Sequence, residues 1–238
     1  MKRNAAFLLL TASLVSSARA SEGFEDVNRL FTSGLWNQQN LSNPVPLTNT
    51  DPWMQGDAMQ SGFTAQSGTD NSYIAANYTA TGVDPDFTGT ISAWLFAPTT
   101  VFNNGDHVQF ASRTALGSTF ADRLQVRLST AGASTYVGWN ETTVGNYTNL
   151  LLDINPTLNP SGYPDSWTNY DLTITGLSGP TSGRIAFRYL VSDSGPLGSN
   201  GNIVALDNYT VGAVPEPTTI AALGLGALTL VRRRKVTR

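Results

Sequence analysis

The sequence predicts an all-β protein: an antiparallel jelly-roll β-sandwich flanked by an N-terminal signal helix and a C-terminal single transmembrane helix. Three observations carry this expectation. Between residues 21 and 213 large apolar residues recur at every second position, most plainly Ile185, Phe187, Tyr189 and Val191, which is the pattern of a strand with one buried face. Clusters of Gly, Asn, Asp and Pro separate these runs, and the 238 residues include 22 Gly and 12 Pro with only 13% charged, a composition unsuited to coiled coils or long helical bundles. No stretch of the body holds a 3.6-residue apolar period for three turns, and no fixed repeat argues for a propeller or solenoid.

The chain opens with Lys2 and Arg3, an apolar run over 5–15, and small residues at Ala18 and Ala20. That is the layout of a secretory signal peptide, 1–20, with cleavage expected after Ala20. The body, 21–213, offers strands over 91–96, 108–111, 124–128, 172–174, 185–191 and 203–211. Turns are expected at Asn103-Asn104-Gly105-Asp106, Ser178-Gly179-Pro180 and Ser194-Gly195-Pro196. Antiparallel sheets with one wet face show this alternation, which makes two packed sheets the expected architecture. The last segment, 214–238, reads Pro215-Glu216-Pro217, then a nearly unbroken apolar run over 218–231, then Arg232, Arg233, Arg234 and Lys235. A helix over 218–231 rises roughly 21 Å against a hydrocarbon core of roughly 30 Å, so it needs its snorkelling arginines to span. The basic cluster is expected to remain cytoplasmic as a membrane stop, leaving the body outside.

Charge and residue counts exclude several functions. The full chain has 14 basic and 17 acidic residues, a formal charge of −3. Without 1–20 and 215–238 it keeps six arginines, at 29, 113, 123, 127, 184 and 188, and no lysine, against 16 carboxylates: a charge of −10. Such a body suits solubility and cation binding, and it argues against anionic membranes and nucleic acid as partners. With no cysteine, a disulfide scaffold, a cysteine zinc site and a thiol nucleophile are excluded. The single histidine, His107, follows Asp106, and neighbouring strand residues point to opposite faces, so Asp106 is badly placed to orient it for a catalytic triad. Asp84 and Asp86 have the residue types of a glycoside-hydrolase pair, but a solvated turn explains them more simply. Trp36, Trp53, Trp94, Trp139 and Trp167 could stack on sugars, although a body of this size needs most of them in its core. Nothing resembles a Gly-rich phosphate loop ahead of a helix, and the five Asn-x-Ser/Thr triplets carry no claim of glycosylation.

The run Val214-Pro215-Glu216-Pro217, the short apolar helix and the Arg-rich tail, in that order, resemble the PEP-CTERM sorting signal of Gram-negative bacteria. The resemblance implies recognition by an exosortase. It also implies export through the Sec translocon, action of signal peptidase, an inner-membrane-anchored intermediate, and cleavage near the motif with release or transfer to the cell surface. Pro215 and Pro217 would keep the segment extended, because proline lacks an N–H and disfavours helix in the residue before it.

A second resemblance covers most of the body. Gly23-Phe24-Glu25-Asp26, Ile91-Ser92-Ala93-Trp94-Leu95, the run from Gly105 to Arg113, the run from Asp122 to Arg127 and Leu206-Asp207-Asn208-Tyr209 follow the order of the choice-of-anchor J domain. That domain is similar to MAM and concanavalin-like jelly rolls and implies no chemistry. In jelly rolls of this kind the first and last strands lie side by side, so Glu25 and Asp207 would be brought together as hard oxygen ligands for a structural Ca²⁺. The alternative, that both carboxylates cap turns or sit in water, stays open. The expected function is a non-enzymatic exported protein of the cell surface or extracellular matrix, without a catalytic site. The alternative is a carbohydrate-binding module for extracellular polysaccharide, and a glycoside hydrolase comes third.

Overall fold

The computed structural model describes residues 20–46, 51–82 and 88–213. In chain order the elements are β1 (Ala20–Glu22), α1 (Val27–Thr32), β2 (Asn37–Asn40), β3 (Met54–Gln55), α2 (Ala58–Ser61), β4 (Ile74–Asn77), a 3-10 turn (Tyr78–Ala80), β5 (Gly89–Phe96), β6 (Thr100–Phe102) and β7 (Asp106–Arg113). They continue with β8 (Leu124–Ser129), β9 (Asn149–Ile154), β10 (Thr168–Thr173), β11 (Thr181–Ser194) and β12 (Ile203–Ala213). One six-stranded sheet runs β10-β7-β12-β4-β3, with β1 also on β12. The other runs β2-β5-β11-β8-β9, with β6 also on β11. All of these strand pairs are antiparallel. The body is therefore an all-β sandwich of two antiparallel sheets, as the alternation predicts.

The core lies between the sheets. Val108, Phe110, Val204, Leu206 and Tyr209 from one sheet meet Leu124, Val126, Ile185, Phe187 and Val191 from the other, every-second residues of their strands except Tyr209, which faces inward after the bulge at Asp207. Edge-to-face ring pairs cross the interior, Phe110–Phe187 at 5.1 Å and Phe187–Tyr209 at 5.8 Å. A second cluster sits on the outer face of the β11 sheet, where Val137 and Tyr147 of the β8–β9 loop cover Trp94 and Phe96.

Several elements differ from the sequence expectation. Two short helices appear, α1 of six residues and α2 of four, each started by an aspartate, Asp26 and Asp57, whose side chain accepts N–H groups of the first turn. Strands β2 and β3 carry no alternation because their side chains are only half buried. The signal segment up to residue 19, including Ala18, lies outside the described residues. So do Asp84 and Asp86, Pro215, Glu216 and Pro217, the expected helix over 218–231, and Arg232, Arg233, Arg234 and Lys235. Ala20, expected to end the signal peptide, opens β1 opposite Val211. Among the described residues no helix is long and apolar enough to cross a membrane.

Candidate functional site

A groove runs along the β12 sheet where the turn after β4 meets the loops β7–β8 and β11–β12. It consists of two cavities of about 500 and 490 Å³ that share Tyr78 and Asn202. Gln60, Asn77 and Thr79 line the first, and Phe120, Pro196 and Gly198 the second. Two aromatic rings flank it, Tyr78 at 42% exposure and Phe120 at 45%.

Local chemistry fixes these walls. The Asn77 side chain accepts the Thr79 N–H and caps the turn that presents Tyr78. Tyr78 N–H donates to the Asn202 carbonyl at 3.0 Å, and Asn202 Nδ2 donates to Ser118 Oγ at 3.0 Å. Gly201 N–H closes the wall on the Ala121 carbonyl. Gly201 sits at φ +85, and a Cβ there would come within 2.4 Å of Ser194 Oγ, so glycine is required.

Asp122 lies beneath the groove, fully buried. It accepts from Thr114 Oγ1 at 2.6 Å, from Tyr189 OH at 2.6 Å and from the Asn202 N–H at 2.8 Å. One carboxylate thus ties three segments together. Burial pushes its carboxyl up to about 6, against the pull of those hydrogen bonds.

The sequence-derived candidates are placed as follows. His107 is on the outer face of β7, and its Nδ1 lies 2.5 Å from Asp171 Oδ1 on β10. Asp106 instead turns inward and accepts the Asn103 N–H. Asp207 is buried and receives the N–H groups of Gln66, Ser67 and Asn208. Burial raises its carboxyl, and the nearby charge of Glu25 adds to the rise; Glu25 itself is exposed. Among the described residues no cluster of three or more His, Asp or Glu side chains is arranged to hold a metal ion. Trp36, Trp53 and Trp94 are buried, Trp167 is half-buried, and Trp139 is 76% exposed. Sequence reasoning did not single out Tyr78 or Phe120, and it used Asp122 only for the order of its motifs. The Asn77-Tyr78-Thr79 triplet is a local cue to a turn that would present Tyr78.

The PEP-CTERM protein-sorting motif matches residues 213–235. No curated protein matches the chain. Among solved structures, the chain is similar to the K1 cleaved adhesin domain of Lys-gingipain from Porphyromonas gingivalis W83, at 16% identity and TM-score 0.52 over 83% of this chain and 99% of that one. It also aligns with the K2 cleaved adhesin domain of Lys-gingipain, at 14% identity and TM-score 0.49 over 82% and 99%. The C-terminal family 22 carbohydrate-binding module of Clostridium thermocellum Xyn10B aligns at 12% identity and TM-score 0.42 over 82% and 92%. The K1 likeness is one of fold. The chain is a β-sandwich protein that carries a PEP-CTERM sorting motif, the mark of an exported protein sorted by an exosortase.

Proposed function

We propose that the protein is a non-catalytic carbohydrate-binding component of the cell surface or extracellular matrix, delivered there by its sorting motif. The observation that carries the reading is the groove between Tyr78 and Phe120. Exposed rings at its edges offer flat apolar faces to the C–H faces of sugar rings, and Gln60, Asn77 and Asn202 offer amides to their hydroxyls. The route runs through the Sec translocon and signal peptidase, a membrane-held intermediate, and an exosortase. A polysaccharide array tests the site: Tyr78→Ala and Phe120→Ala should each weaken binding by roughly tenfold, about 1.4 kcal/mol, without lowering the melting temperature. No binding to any neutral glycan, or full binding by both variants, overturns it.

Glu25 and Asp207 remain the pair proposed for calcium. Two carboxylates close enough for Glu25 to raise Asp207 repel one another, and a divalent cation would relieve that repulsion. Asp207 already accepts three N–H groups, so the ion would draw mainly on Glu25 and backbone carbonyls and bind at the weak end of the calcium range, roughly millimolar. Chelator-treated protein should melt higher on adding millimolar Ca²⁺, and Glu25→Gln should abolish the shift; an unchanged midpoint removes calcium from the account.

A further inference from the structure

On the outer face of the β11 sheet, away from the groove, three of the body's six arginines gather: Arg123, Arg127 and Arg188. Leu124, Val126 and Leu128 face the core, so Arg123, Gln125 and Arg127 project outward along β8. Gln125 has Arg188 of β11 beside it on one side and Asp153 of β9 on the other. Asp153 takes Arg123 through two hydrogen bonds, at 2.8 and 2.6 Å, and Gln125 through one at 2.9 Å. Arg127 donates Nε to Gln125 and Nη1 to the Tyr147 carbonyl. Arg188 donates Nε to Ser92 Oγ and Nη2 to the Glu141 carbonyl.

These bonds leave Nη1 of Arg123, Nη2 of Arg127 and Nη1 of Arg188 without an acceptor among the described residues. Of the three guanidinium groups only Arg123 touches a carboxylate, Asp153, while Asp153 and the Glu141 side chain act on Arg188 only through their charge. Arg188 is 2% exposed and lies over the Trp94 ring at 4.8 Å. Its burial, aggravated by Arg127 and Arg123, brings its guanidinium down to about 9. A buried cation held beside two like charges is a costly arrangement, which an anion would offset.

We infer that this face binds the carboxylate groups of an acidic polysaccharide, received by the free Nη groups of the half-buried Arg123 and Arg127, with the buried charge of Arg188 behind them. Arginine forks match a carboxylate in geometry as well as charge. The β8–β9 loop whose carbonyls hold Arg127 and Arg188 also carries Tyr136 at 51% exposure and Trp139 at 76%. Flat exposed rings on the loop that holds the carboxylate receptor suit a uronic-acid chain better than an acidic peptide. The site uses residues separate from the Tyr78 groove, so either reading can fail alone.

Titration of the full-length protein with polygalacturonate at low salt tests the inference, with neutral dextran, dextran sulfate and polyglutamate as comparisons. The expected result is saturable binding to polygalacturonate that exceeds binding to the other three and weakens as salt rises. Arg127→Gln and Trp139→Ala should each reduce it by roughly tenfold, whereas Tyr78→Ala leaves it unchanged. Arg127→Lys keeps the charge without the fork, so a several-fold loss in that variant at an unaltered melting temperature separates recognition from stability. Absence of polygalacturonate binding, or full binding by both Arg127 variants, overturns the inference. Equal binding of polyglutamate or dextran sulfate overturns it too, since it would make the site a general or peptide anion receptor.

Discussion

Asp122 is buried without a countercharge in contact, and three hydrogen bonds from Thr114, Tyr189 and Asn202 stabilise it instead. Its folded carboxyl titrates near 6, against an ordinary value of 3.8, so the folded protein holds this proton more tightly than the unfolded chain does. The resulting stabilisation is complete below the ordinary value and disappears as pH rises through about 6, a swing of roughly 3 kcal/mol. In Asp122→Asn the amide oxygen can still accept from Tyr189 and Asn202, and its NH₂ can donate to Thr114. That variant should lose this pH dependence and melt several degrees above the parent at pH 7.5. Glu22 and Asp207 are shifted in the same direction and Asp153 in the opposite one, so the difference between variant and parent, measured by thermal unfolding from pH 4 to 8, is the informative quantity; parallel curves refute it. The asparagine triplets also find their explanation at this scale. Asn77 accepts both the N–H and the hydroxyl of Thr79, and Asn140 does the same for Thr142. These are turn-closing bonds that put Asn-x-Thr in loops without any need for sugar attachment.

Strand β12 organises its sheet. It pairs with β7 on one side and, on the other, with β4 over Ile203–Leu206 and then β1 over Tyr209–Val211. The change of partner falls at a bulge after Asp207, where Asn208 takes φ 55. There the Asp207 carboxylate accepts the N–H groups of Gln66 and Ser67 and holds the α2–β4 loop onto the sheet. Asp207→Ala would leave those part-buried donors without their acceptor, so it should cost about 1–2 kcal/mol in urea denaturation and speed amide exchange at Gln66 and Ser67. Protected amides in the variant would contradict this role. The elements read most fully from the sequence, β5, β7, β8, β11 and β12, are those with one face fully committed to the core; of β10, with its half-exposed pattern, only Leu172 and Thr173 fall within the expected strand over 172–174. Asn37–Asn40 was not legible, because its four polar residues pair with β5 through backbone groups that no side-chain pattern reports. The Tyr78 groove was hidden for a related reason: exposure of an aromatic ring is decided by which loops fold beside it, and Asn202 and Ser118 are distant in sequence. That the charge of Glu25 acts on Asp207 was foreseeable only through the order of first and last strands; Glu25 follows β1, which pairs with β12.

At the scale of the molecule, both ends of the described body leave from neighbouring positions. Ala20 lies opposite Val211, and β12 ends at Ala213, where the sorting motif begins. The segments expected to be processed thus attach side by side at one strand pair. Removing both takes the formal charge from −3 to −10, which favours keeping separate copies apart in solution and leaves three of the six remaining arginines together on the outer face of the β11 sheet. Because the described core is complete by Ala213, sorting and folding should separate cleanly. A chain ending at Ala213 retains every register pair of β12 with β7, β4 and β1, so it should keep the parent's melting temperature while accumulating in a different cell fraction. A chain ending at Asp207 loses the pairing with β1 and four of the positions shared with β7. It also loses the buried Tyr209 and Val211, whose burial contributes roughly 3–5 kcal/mol together, and it should unfold far earlier. Melting curves and cell fractionation of the two truncations therefore decide the matter: if the chain ending at Ala213 fractionates like the parent, the motif does not direct sorting, and if it melts far below the parent, the tail belongs to the fold.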